Sequence, residues 1–119
     1  MAIDYNTAYK LAEKFKRINK QLKLTTVGSI ARKEEQISDL DFITTLKLPN
    51  DKKYFRTEFE GMQVDIWQYE NRKIGKFIRT LKDYQLINLY NKLKEHNYKL
   101  ESNGIKNLSN NKLIILHIK

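Results

Sequence analysis

The residues best suited to chemistry stand in one stretch of the 119-residue chain, VGSIARKEEQISDLDFITT, from Val27 to Thr45. Asp39 and Asp41 open an apolar, β-prone run and so belong on a strand. Successive strand side chains point to opposite faces, which puts both aspartates on the same one. Two carboxylates so close repel each other, and a divalent cation is what that arrangement suits. Upstream, Gly28-Ser29 is a small pair at a turn into a helix, where backbone N–H groups can meet phosphate oxygens. Arg32 can reach the same phosphates; the structural alternative is a surface arginine paired with Glu35. Phosphate and Mg²⁺ together are nucleotide chemistry.

These residues need a scaffold, and the flanking sequence supplies its elements. Residues 4–21 read as an amphipathic helix capped by Asp4 or Asn6-Thr7, with Ala8, Leu11, Ala12, Phe15 and Ile18 as its core stripe. A short strand over 22–27 ends at Gly28-Ser29, and a short helix is expected over 30–36. Ser38 touches phosphate or simply makes a turn, and Glu34 and Glu35 read as solvated. A strand over 39–48 buries Leu40 and Phe42 behind the aspartates. Two further strands, 54–60 and 62–69, are joined by a turn at Glu60-Gly61. Met62, Val64 and Ile66 form the core face of the second strand; Gln63, Asp65, Trp67 and Tyr69 form the other. Asp65 can therefore join Asp39 and Asp41, or be one more surface carboxylate. Trp67, on the same face, is the best candidate to stack on a base.

Asn71 to Lys76 is basic and contains a glycine, so a connection is expected there, dividing a lobe of residues 1–70 from a basic lobe of residues 71–119. Residues 77–95 read as helix with a break near Lys82-Asp83. Three short strands follow, at Tyr98–Glu101, Ile105–Lys106 and Leu113–Ile118, with Asn103-Gly104 as a turn signal. His96 and His117 stand in no metal-ligand spacing; a helix end and a strand explain them.

Composition sets the limits. The chain is 40% hydrophobic and 11% aromatic, enough for a core, and carries no cysteine, which excludes disulfides and thiolate chemistry. The net charge is +9, with 23 basic and 14 acidic residues. Of this, +6 falls on residues 61–119, a footprint for phosphate backbone or a solubilising surface. No run is long and apolar enough for a signal peptide or a membrane span. The expectation is a soluble intracellular protein, in a prokaryotic cytoplasm or a viral or host compartment, not secreted.

The pattern Gly28-Ser29-x-x-Arg32 followed by Asp39-x-Asp41 resembles the signature of the DNA polymerase beta-like nucleotidyltransferase superfamily. That superfamily has a third carboxylate on a neighbouring strand, and Asp65 in Gln63-Val64-Asp65-Ile66-Trp67 supplies one. The segment from Asn97 to Ile105 resembles the thumb of family X polymerases. The resemblance implies an α+β fold: a palm with a mixed sheet and flanking helices, followed by a small thumb-like helix and short β-sheet lobe.

It also implies a mechanism. Asp39 and Asp41 would hold one Mg²⁺ and, with Asp65, a second; Mn²⁺ is a substitute. Asp65 would also accept the proton of a primer 3′-hydroxyl. Gly28, Ser29, Arg32 and Ser38 would cradle the phosphates of a nucleoside triphosphate. Arg72, Lys73, Lys76, Arg79, Lys92, Lys94 and Lys99 would track the backbone of gapped or primed DNA. The implied protein is a pared-down, DNA-directed polymerase of short-gap repair, monomeric and free of membranes, without the lyase and terminal thumb elements of larger relatives.

Some family features are altered. Ile78-Arg79-Thr80-Leu81 stands where an aromatic-aromatic-threonine-glycine turn contacts the nucleotide sugar, so discrimination between sugars is open. Gln63 stands where an arginine often precedes the third carboxylate. Two alternatives remain: a minimal, antitoxin-type nucleotidyltransferase that modifies RNA or a protein, and a non-catalytic nucleic-acid-binding relative.

Overall fold

A computed structural model describes residues 2–101 and 104–114. It begins with a short strand β1 (Ile3–Asp4) and helix α1 (Tyr5–Ile18). Asp4 caps α1, its carboxylate accepting from the Thr7 backbone N–H. After a 3₁₀ turn come β2 (Thr25–Val27), the four-residue helix α2 (Gly28–Ala31), β3 (Gln36–Ile37) and β4 (Asp39–Thr44). The hairpin β5 (Tyr54–Phe59) and β6 (Met62–Gln68) turns at Glu60-Gly61, both with positive φ. That is the backbone geometry that matches the twist of paired strands. The chain ends its described part with α3 (Arg72–Thr80), α4 (Asp83–Glu95), β7 (Tyr98–Glu101), β8 (Gly104–Asn107) and β9 (Leu113–Ile114).

The central sheet has the order β2-β4-β6-β5. It is mixed: β4 and β6 run parallel, while β2 and β5 are antiparallel to their neighbours. One face carries Leu40, Phe42, Val64 and Ile66, which pack with Ala8, Ala12 and Phe15 of α1. The opposite face carries Val27 and Ile43, which pack with Ile74 and Ile78 of α3. The sheet is thus covered by one helix on each side. The residues β7, β8 and β9 form a separate three-stranded antiparallel sheet. The α+β architecture, a mixed sheet with flanking helices, is as expected from the sequence.

Several boundaries differ from the sequence expectation, and each difference has a cause. The helix after Gly28 starts earlier than residue 30 and ends at Ala31: Lys33 takes a positive φ of 58°, and β3 pairs with β1 from residue 36. The connection expected at residues 71–76 is instead the start of α3. Asn71 caps it, its side chain accepting from the Lys73 and Ile74 backbone N–H groups. Gly75 is no hinge: a Cβ there would lie 2.8 Å from the Tyr69 ring, so glycine lets the helix approach that ring. The helical break falls at Leu81-Lys82, next to the expected site. His96 ends α4, as expected of a helix-terminal residue. Asn103, His117 and most of the strand expected at 113–118 lie outside the described residues.

Candidate active site

The three aspartates are brought together by strand register. Asp41 of β4 is paired with Asp65 of the adjacent parallel strand β6, and Asp39 precedes Asp41 by two on the same face. Asp39, Asp41 and Asp65 line one pocket of about 190 Å³ with Gly28, Arg32 and Arg79. Ser29 and Ser38 do not line it. Ser29 lies in the first turn of α2, and Ser38 is exposed just before β4.

Gly28 is at the wall of this pocket. Its φ is +71°, and a Cβ there would fall 2.9 Å from the Asp41 Cβ and closer still to its Oδ2. Glycine lets the backbone lie directly against the carboxylate. Arg32 also lines the pocket, but its side chain is already engaged. Its Nε donates to Glu34 at 2.7 Å, and its Nη1 donates to the Thr80 and Leu81 carbonyls at 3.1 and 3.3 Å. The acidic partner is therefore Glu34, not Glu35, and the guanidinium ties α2 to the end of α3.

The carboxylates differ electrostatically. Burial pushes Asp41 up to about 7, and Asp65 and Asp39 add to the rise against the pull of Arg32 and Arg79. Burial also raises Asp39, with Asp65 adding to it. Burial acts upward on Asp65 as well, but hydrogen bonds from Tyr54, Gln63 and Arg56 outweigh it and hold this carboxyl below its usual value. Arg56 Nε donates to Asp65 Oδ1 at 2.9 Å, Gln63 Nε2 donates to Oδ2 at 3.0 Å, and the Tyr54 hydroxyl donates to Oδ1. Those donors stabilise the ionised form, which makes Asp65 a weak proton acceptor.

Tyr54 and Arg56 were not among the sequence candidates, although counting could have found them. A two-residue turn at Glu60-Gly61 pairs Phe59 with Met62, and counting outward pairs Arg56 with Asp65 and Tyr54 with Trp67. Arg56 thus brings a guanidinium to the third carboxylate from the neighbouring strand, where Gln63 precedes it on its own. Arg79 is the one basic residue of the DNA-tracking set that lines the aspartate pocket. Arg72, Lys73 and Lys76 lie exposed on α3, Lys92 and Lys94 on the last turn of α4, and Lys99 on β7.

Trp67 also lines the aspartate pocket, but its ring is partly covered. The Arg79 guanidinium sits 4.5 Å from its centroid and the Tyr54 ring 5.4 Å away. A base stacked on Trp67 would displace one of them. Trp67 and Arg79 also line a neighbouring pocket of about 410 Å³ with Tyr54, Tyr69 and Tyr90.

A family model described as a nucleotidyltransferase domain matches residues 8–107. The chain belongs to the nucleotidyltransferase domain family. The match spans most of α1, the sheet with all three aspartates, both later helices and the β7–β8 pair. No curated protein matches the chain. Nucleotidyl transfer is thus the general activity of this nucleotidyltransferase.

Domains of this kind typically use divalent metals. Among the described residues, no group of three His, Cys, Asp or Glu side chains is placed to hold a metal ion as it stands. The chemistry of the donors nonetheless suits one. Asp39 and Asp41 are raised first by burial and then by neighbouring carboxylates, and a cation beside them would offset both effects. Asp65 is held by Tyr54, Gln63 and Arg56, so joining the other two requires exchange of one of those bonds. Among the described residues no helix is long and apolar enough to cross a membrane.

Proposed function

We propose that this nucleotidyltransferase moves a nucleoside monophosphate from a (deoxy)nucleoside triphosphate to a 3′-hydroxyl of gapped or primed DNA, in short-gap synthesis during repair. The observation that carries the reading is the register of Asp41 opposite Asp65, with Asp39 on the same face, at the wall formed by Gly28. The hydroxyl oxygen forms a bond to the α-phosphorus, the bond to pyrophosphate breaks, and the hydroxyl proton leaves to solvent. Asp39, Asp41 and Asp65 would hold two Mg²⁺ ions, whose charge would offset that on the reacting oxygens. Gly28 offers backbone close to the aspartates, Arg79 offers countercharge for phosphate oxygens, and Arg32 joins it where its ion pair with Glu34 exchanges for phosphate. At about 190 Å³ the pocket is below the roughly 300–1,000 Å³ usual for a ligand site, so it encloses the reacting end only. The nucleoside extends into the adjoining aromatic pocket.

The DNA reading rests on the likeness of Asn97–Ile105 to a family X thumb, and it is supported by the antiparallel pairing of β7 with β8. A second reading keeps the chemistry and changes the acceptor to RNA or a protein. The end of α3 favours it: Ile78, buried in the core, stands where the resembled turn carries an aromatic residue against the sugar. The test offers each deoxynucleotide and ribonucleotide singly, with Mg²⁺, to a one-nucleotide-gapped DNA duplex, to RNA and to the protein itself. Template-matched addition to the gap supports the polymerase. Addition only to RNA or protein overturns it in favour of the second reading.

A further inference from the structure

A second cavity, of about 630 Å³, lies beside the aspartate pocket and is lined by Arg72, Lys73, Lys76, Phe77 and Thr80. Leu81 lines both, so the two share a wall. On its far side it shares Thr25 and Arg72 with a third cavity, of about 320 Å³, which adds Lys23. Shared lining residues make the second and third cavities one basic path beside the aspartate pocket. It carries four cations and no acidic side chain among its lining residues. Among the described residues no ion pair takes up Lys23, Arg72, Lys73 or Lys76.

We propose that this path seats a single strand of nucleic acid, its phosphates on Lys23, Arg72, Lys73 and Lys76. A row of cations without anions matches a polyanion rather than one phosphate group. Phe77 selects the single strand: it is 46% exposed within the lining, and an unstacked base has a free face for it, whereas paired bases stay stacked in a duplex. The proposal singles out four cations and leaves Lys92, Lys94 and Lys99 outside the path. That this strand is the unpaired template beside a gapped or primed end rests on the transfer reading above; the binding itself does not.

Fluorescence anisotropy of labelled oligo(dT), oligo(U) and a blunt duplex tests it, with EDTA and without triphosphate, over a range of salt. The single strands bind more tightly than the duplex. Each phosphate contact on a single strand contributes a slope of about −0.7 in log K against log salt, so Arg72→Gln/Lys73→Gln/Lys76→Gln flattens the slope by roughly 2. Phe77→Ala weakens binding by roughly tenfold, while Lys92→Gln/Lys94→Gln/Lys99→Gln leaves the slope unchanged. The two arms, oligo(dT) and oligo(U), show which sugar the path takes. An unchanged slope in the first variant, with its melting temperature intact, overturns the proposal; so does tighter binding of the duplex, or a loss confined to the Lys92, Lys94 and Lys99 variant. Strand binding that persists without transfer to any acceptor leaves the path standing and removes the transfer reading instead.

Discussion

Gly28 and Asp41 are in such close contact that a Cβ on Gly28 would fall 2.9 Å from the Asp41 Cβ. The backbone at Gly28 is also left-handed, with φ at +71°. Gly28→Ala therefore meets two obstacles. Strain of this kind costs about 1–3 kcal/mol, seen as a lower melting temperature. The carboxylate is also pushed aside, and a displacement near 1 Å costs roughly 10²-fold in rate. Transfer measured well below the melting temperature falls by about that factor. A stable variant with full activity would show that the contact does not position Asp41.

The protonation of Asp41 makes stability depend on pH. Its folded value, about 7, lies above its ordinary 3.8, so the native state binds the extra proton between them. The contribution of this group is most favourable in acid and is lost as pH rises through about 7. Asp41→Asn has no such charge to bury. In EDTA the variant melts higher than the wild type at pH 8, by roughly 4 °C or more, and the gap closes towards pH 4. Thermal melts at several pH values read this directly, and Mg²⁺ raises the wild type alone. A gap independent of pH contradicts the assignment.

Gly75 distinguishes a hinge from a packing site by the sign of one substitution. At a flexible connection, Gly75→Ala stabilises by about 0.4–1 kcal/mol through the unfolded chain. In α3, the new methyl meets the Tyr69 ring at 2.8 Å, and overpacking costs about 1–3 kcal/mol. Denaturant unfolding of Gly75→Ala is expected to show destabilisation. A gain in stability would place residues 71–76 outside the packed unit.

Much of this molecule is legible in its sequence, and the rest is hidden for definite reasons. The aspartates of β4 are visible because period-two alternation places residues 39 and 41 on one face. Asp65 is visible because apolar Met62, Val64 and Ile66 alternate with Gln63 and Asp65 along β6, although Asp65 itself is buried too. The start of α3 is obscured because its basic residues and glycine imitate a linker, while the partner that explains Gly75, the Tyr69 ring, is a tertiary contact. The engagement of Arg32 is hidden because the carbonyls it meets, of Thr80 and Leu81, are some 48 residues away in sequence. Arg56 lies between these cases, since the hairpin turn fixes its register opposite Asp65.

The measurement that tests the central claim most directly is transfer of label from an α-phosphate-labelled triphosphate to a gapped DNA duplex, comparing the wild type with Asp41→Asn. Both proteins are first shown to be folded by their melting curves. Loss of the carboxylate removes charge stabilisation worth about 4 kcal/mol, so label transfer falls roughly 10³-fold. Label transferred by the folded variant at the wild-type rate would contradict the assignment of this pocket as the active site.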